Sequence, residues 1–149
     1  MKSNQHDYLK YWRVVRQFMK IKYGLTQADL DMLLFLYSEK YFDKNKFEEF
    51  DKLLGWDNQR FNRLRQEGWI QSFRNKMTAG GRRAIYQLSL KSTSMIQSIY
   101  RKLSGEEIPA SESYNRMFHK NVSYSDRVYR EMIIEMNKTI KQQRHQSPE

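Results

Sequence analysis

The chain has 149 residues, 39% of them hydrophobic and 14% aromatic, enough to bury a core and too apolar for global disorder. It has no cysteine, which excludes disulfides, thiol catalysis and cysteine-bound zinc, and no stretch reaches the roughly 18 uncharged apolar residues of a membrane span. The net charge of +10 is unevenly spread: residues 1–25 carry +5, 26–67 carry −2, 105–149 balance, and 68–104 carry +7, with seven cations and no anion.

In chain order, the first element is a helix over 6–23. Its apolar positions Tyr8, Tyr11, Trp12, Val15, Phe18 and Met19 follow i, i+3, i+4, i+7, and lysines and arginines fill the other faces. Thr26 and Asp29 have capping-box spacing and open a second helix, whose run Met32-Leu33-Leu34-Phe35-Leu36-Tyr37 predicts a central, buried element. After the polar connection YFDKNK, a third helix of about two turns places Phe47, Phe50, Leu53 and Leu54 inward and Glu48, Glu49 and Asp51 on a solvated face.

Gly55 breaks that helix, and Asp57 is the expected N-cap of a fourth, NQRFNRLRQE. There Phe61 and Leu64 point inward, Gln59, Asn62 and Arg63 point outward, and Asn58, Arg60 and Arg65 flank them. Two helices about a tight glycine turn, the second faced with amides and arginines, have the form of a helix-turn-helix. Asn and Gln suit adenine edges and Arg suits guanine.

Trp69–Arg74 and Arg83–Leu90 read as strands, separated by about eight residues with a Gly-Gly hinge and no anion. A basic hairpin after a recognition helix is expected to act as a wing, with Arg74, Lys76, Arg82 and Arg83 along the phosphate backbone or in the minor groove. Residues 91–104 carry Met95, Ile96, Ile99, Tyr100 and Leu103 at helical spacing. The polar connection GEEIPASES leads to a last helix, capped by Ser123 and Asp126, with the stripe Val128, Tyr129, Met132, Ile133, Met136 and Ile140.

At this point the sequence resembles the multiple antibiotic resistance regulator (MarR) family of winged-helix transcription factors. The resemblance covers residues 8–105 and is carried by LTQADLDMLLFL, LLGWDNQRFNRLRQEGWI, RRAIYQLSLKS and STSMIQSIYRKLSGEE. It implies DNA contacts by the wing arginines Arg82 and Arg83 and by Asn58, Gln59, Arg60, Asn62 and Arg63, with the first and last helices interlocking two subunits. Gly81 stands where the family usually has an acid, and the Gly55–Gly68 interval is about one helical turn shorter than usual.

The expected fold is mainly α with a small β wing. It comprises an N-terminal dimerisation helix at 1–25, a winged helix-turn-helix at 26–90, C-terminal dimerisation helices at 91–144 and a frayed tail at 145–149. The expected partners are double-stranded DNA and a second copy, the dimer interface being built from Tyr8, Tyr11, Trp12, Val15, Val128, Met132, Ile133, Met136 and Ile140. A small-molecule effector is compatible with the resemblance but is not specified by any residue.

No membrane, metal or cofactor is expected. His6, His119 and His145 are too far apart in sequence for an i, i+4 ligand pair, and no nucleotide loop, serine elbow or HExxH motif appears. A non-enzymatic regulator in the cytoplasm, associated with the nucleoid, is therefore the first reading. The alternatives are a winged-helix adaptor docking on an acidic protein surface and a non-specific nucleic-acid binder.

Overall fold

The computed structural model describes residues 7–146; His6 and the three residues after Gln146 lie outside them. Six helices and a two-stranded antiparallel sheet follow in the order α1 (Tyr8–Tyr23), α2 (Gln27–Tyr37), α3 (Lys44–Leu53), α4 (Arg60–Gln66), β1 (Ile70–Thr78), β2 (Gly81–Leu88), α5 (Leu90–Leu103) and α6 (Tyr124–Gln146), with a 3-10 turn at Arg116–Phe118. The chain forms two compact units, Leu25–Gln97 and Met1–Gly24 with Ser98–Glu149. Helix α5 starts in the first and ends in the second.

In the unit Leu25–Gln97, α2 is central, as its composition predicts. Thr26 Oγ1 accepts the Asp29 amide at 3.1 Å, and Leu30, Met32, Leu33 and Leu36 are buried. Phe35 is the exception at 40% exposure, with its ring 5.3 Å from Phe50. The connection before α3 is not merely polar: Phe42 is buried, and its backbone pairs with Tyr86 in both directions, at 3.0 and 2.7 Å, adding a single rung to the free edge of β2.

Helix α3 starts from Asp43, whose Oδ1 accepts the Lys46 amide at 2.9 Å. Phe47 is buried, whereas Leu53, expected inside, is 77% exposed at the helix end, and Asp51, expected in solvent, is buried. The apolar spacing fails there because the chain turns away, and the inward position at the last turn is taken by a carboxylate.

Helix α4 is shorter than its sequence pattern. It begins at Arg60, because Asp57 Oδ1 accepts the Gln59 amide at 2.9 Å inside a turn that holds Asn58 and Gln59 outside the helix. Its end follows from Gly68, at φ +84: the Trp69 amide reaches Leu64 O at 2.9 Å and the Gly68 amide reaches Arg65 O at 3.1 Å, a left-handed cap that a side chain at 68 would strain.

The hairpin differs most from expectation. The ladder runs without a loop from Ile70↔Leu88 to Thr78↔Gly81, interrupted by a bulge between Ser72 and Arg74, so only Ala79 and Gly80 form the turn. Backbone pairing is indifferent to the polar side chains that made residues 75–82 look like a loop. Helix α5 then begins one residue early, because Ser89 closes it: the Thr93 amide reaches Ser89 O at 3.1 Å and Ser92 Oγ donates to Trp69 O at 2.6 Å.

In the other unit, α1 is capped by Asp7, and its buried side is Tyr11, Val14, Val15, Phe18 and Met19. The connection after α5 is ordered by Asn137 of α6, which accepts the Ile108 amide at 3.0 Å and donates to Ile108 O at 2.8 Å, leaving Ile108 1% exposed. Ser123 Oγ accepts the Asp126 amide at 3.1 Å at the start of α6, as its spacing predicts. That helix continues to Gln146, so His145, placed in a frayed tail from sequence, is helical; Arg144 on the same turn donates to Gly105 O at 3.0 Å.

Candidate nucleic-acid interface

The geometry of the helix-turn-helix rests on a buried charge network. Arg60 donates through Nε to Asp29 Oδ1 at 3.0 Å and through Nη1 to Asp51 Oδ1, and all three residues are at most 5% exposed. Asp51 Oδ2 also accepts the Asp57 amide at 3.0 Å. Arg63 completes the set, with Nη2 at 2.8 Å from Asp29 Oδ1 and 3.2 Å from Asp57 Oδ2.

Burying a guanidinium is tolerable only with carboxylates in fixed, hydrogen-bonded geometry, and its planar five-donor fork suits that role. The first turn of α2, the last turn of α3 and the turn before α4 are thereby tied to α4 itself. The Gln59 amide, and then Arg63, hold the Asp57 carboxyl below its ordinary range; the Asp29 hydrogen bond raises Arg63 above its own.

This corrects one expected contact. Arg60 does not face outward: its guanidinium is consumed by Asp29 and Asp51, and the capping-box acid Asp29 spends its carboxylate on arginines rather than on its own helix. Arg63, with its side chain 34% exposed, is largely committed to the same network. The exposed polar groups in and beside α4 are Asn58, Gln59, Asn62, Arg65, Gln66 and, at its end, Glu67, whose carboxylate accepts Trp69 Nε1 at 3.2 Å.

Arg65 was only a flanking residue in the sequence, yet it is central here. Its guanidinium lies 5.2 Å from the Tyr86 ring and 5.7 Å from Phe61, and its Nη2 is 3.4 Å from Ser72 Oγ on β1. Phe61 and Tyr86 meet edge-on at 5.1 Å, and Lys44 reaches over Phe61 at 5.5 Å. Spacing offered one clue, since Arg65 lies four residues after Phe61 and shares its strip of helix. For Lys44 there was none, as its partner ring is 17 positions away.

Strand alternation divides the basic residues of the hairpin. Lys76 faces Arg83 and Arg74 faces Ile85 on one side, while Met77 faces Arg82, Asn75 faces Ala84 and Ser72 faces Tyr86 on the other. All four predicted wing cations, Arg74, Lys76, Arg82 and Arg83, are exposed. Arg83 donates through Nη1 to Asp43 Oδ2 at 2.9 Å, and Arg82 and Arg83 line a groove of about 390 Å³ with Lys44, Asn45 and Tyr86. Between α4 and the start of β1, a shallow groove of about 320 Å³ is lined by Asn62, Arg65, Gln66, Ile70 and Gln71.

Helix α2, the Phe42 rung, α3, a short turn, α4 and a two-stranded hairpin pairing back on Phe42 settle the architecture. The fold is a winged helix-turn-helix. No protein-family model matches the chain, and no curated protein matches it. Its solved structural neighbours are MarR-family transcriptional regulators.

Among them are a mutant MarR from E. coli complexed with operator DNA (16% identical, TM-score 0.45, 85% of this chain and 84% of that chain), AbfR of Staphylococcus epidermidis (14%, TM-score 0.42, 86% and 79%) and a MarR-family regulator from Silicibacter pomeroyi (16%, TM-score 0.42, 87% and 80%).

The residues expected at a dimer interface separate into two sets. Tyr11, Val15, Ile133, Met136 and Ile140 are at most 4% exposed, so the chain's own core takes them and they are not free to meet a second copy. Tyr8, at 48%, and Val128, at 40%, are exposed, with Trp12 and Met132 partly so; Leu9 and Tyr124, unmarked in the sequence, are exposed as well. Among the described residues no helix is long and apolar enough to cross a membrane, and no group of three or more His, Asp or Glu is placed to hold a metal ion. His119 Nε2 lies 3.1 Å from Glu112 O at the surface.

Proposed function

We propose that this winged helix binds double-stranded DNA as a homodimer and regulates transcription, with α4 and its preceding turn in the major groove and the hairpin on the backbone and minor groove. The observation that carries the reading is the strip of four amides and one arginine formed by Asn58, Gln59, Asn62, Gln66 and Arg65 beside a hairpin that has cations on both faces and no anion. Amides and arginines present paired donors and acceptors to base edges, whereas wing cations neutralise phosphates and set register. Two copies joined through exposed residues of α1 and α6, Tyr8, Trp12, Val128 and Met132 among them, would read half-sites about 34–36 Å apart. A cytoplasmic, nucleoid-associated location follows from such a role.

Selection from a random duplex library at physiological salt tests this, with an Arg82→Ala/Arg83→Ala variant in parallel. A pseudo-palindromic motif that the variant enriches less strongly is the expected result. Featureless binding that salt abolishes overturns sequence-specific regulation. A second reading, a protein-docking winged helix, is favoured by Leu53 and Trp56, 77% and 70% exposed around the helix-turn-helix turn; absence of any duplex binding would establish it over the first.

A further inference from the structure

The hairpin tip carries one side chain that phosphate contact does not explain. Met77 is 70% exposed and sits on the last rung but one, directly opposite Arg82 and next to the two-residue turn. A thioether gains nothing from phosphates, and in the minor groove, which has no thymine methyls, the deepest apolar space a duplex offers lies between its base planes.

Dimensions point the same way. Two paired strands are about 4.8 Å apart before their van der Waals envelope is added, so a ribbon does not lie flat in a minor groove about 6 Å wide. Six rung steps separate Ile70 from Met77, about 20 Å of reach at 3.3 Å per residue, so the tip can enter a groove end-on while α4 stays at its own. The hairpin's four exposed cations, Arg74, Lys76, Arg82 and Arg83, and its lack of anions supply the charge complementarity that holds such a tip to DNA.

We propose that Met77 is an apolar wedge. With the wing tip in the minor groove, its side chain enters a base step, unstacks it and kinks the duplex, while Arg82 on the same face holds the adjacent phosphates or groove floor. This rests on the DNA-binding reading above and adds to it a bend and a preferred step. Pyrimidine–purine steps unstack most easily, so the wing selects TpA or CpA by deformability rather than by hydrogen bonds.

The test uses the full chain and end-labelled duplexes of about 30 base pairs in which a single TpA step is moved one position at a time through an A·T background, read by affinity and by end-to-end energy transfer. The parent is expected to bind best and bend at one register. Met77→Gln should lose the bend and the register preference and bind about ten-fold more weakly, with an unchanged salt slope, whereas Met77→Leu retains all three. Arg82→Ala should instead lower the salt slope by about one. Equal bending by the parent and Met77→Gln, or tight parental binding with no bend, overturns the wedge while leaving DNA binding intact. No duplex binding by the parent overturns both. Amide-proton spectra of the variants check that the hairpin is folded in each.

Discussion

At the scale of single residues, Arg60 separates structural charge from functional charge. Removing it leaves the buried carboxylates of Asp29 and Asp51 without the guanidinium they share, so Arg60→Met is expected to destabilise the fold by about 3–5 kcal/mol and lower Tm by about 10 °C or more. Arg60→Lys should recover only part, because one ammonium cannot serve two carboxylates in fixed directions. An unchanged Tm would mean that the side chain points to solvent. Arg83 is the opposite case. Its pair with Asp43 is half exposed and worth at most about 1 kcal/mol, so Arg83→Ala should leave Tm nearly unchanged while reducing the salt slope of duplex binding by about one. Composition alone ranks these two arginines equally; burial distinguishes them.

Among elements, the hairpin and the end of α5 make separable predictions. Gly81 has φ +110 at the turn, a region that side chains avoid, and Gly81→Val should cost the hairpin about 1–3 kcal/mol. Amide exchange from Lys76 to Ala84 should then accelerate while the amides of α2 keep their protection. At the end of α5, Lys102 Nζ reaches Glu106 Oε1 at 2.8 Å, and this hydrogen bond, with Arg101 behind it, lowers the Glu106 carboxyl below its ordinary 4.5. A depressed carboxylate contributes stability above its unfolded value, and that contribution is lost as pH falls through the folded one. Stability should therefore decline below about pH 4.5, less steeply in Glu106→Gln, and carboxyl carbon shifts should place the Glu106 midpoint below that of an exposed glutamate.

The elements also show what a sequence can carry. Stripes and caps within one helix, Thr26 to Asp29 or Ser123 to Asp126, are local and were legible. The burial of Arg60 depends on carboxylates 31 and 9 positions away, and nothing in the fourth helix announces it. The wing was legible as a basic hairpin, but its length was not, because a ladder of exposed polar residues has no apolar alternation to read.

For the whole molecule, an apolar stripe states that something covers it without stating which chain does so. Ile133, Met136 and Ile140 are covered by the chain itself, so Ile133→Asp is expected to unfold the protein, whereas Tyr8→Asp with Val128→Lys should leave the circular dichroism and Tm of the isolated chain intact. In the dimer reading the latter pair shifts light-scattering mass from twice the chain to once, and a mass already monomeric in the parent overturns that reading. Exposed apolar groups, not buried ones, are where self-association must be sought.

The ladder from Ile70 to Thr78, shifted only at the bulge between Ser72 and Arg74, has a consequence for how this protein can change over generations. With only Ala79 and Gly80 in the turn, a single-residue insertion or deletion that no bulge absorbs rotates every side chain beyond it to the opposite face, exchanging the surroundings of Arg82 and Arg83 in one step. The wing can drift smoothly in composition but can alter one arm by a single residue only where a bulge absorbs it, as the one between Ser72 and Arg74 does, so descendants whose arms differ by one residue should carry a further bulge or have lost this one.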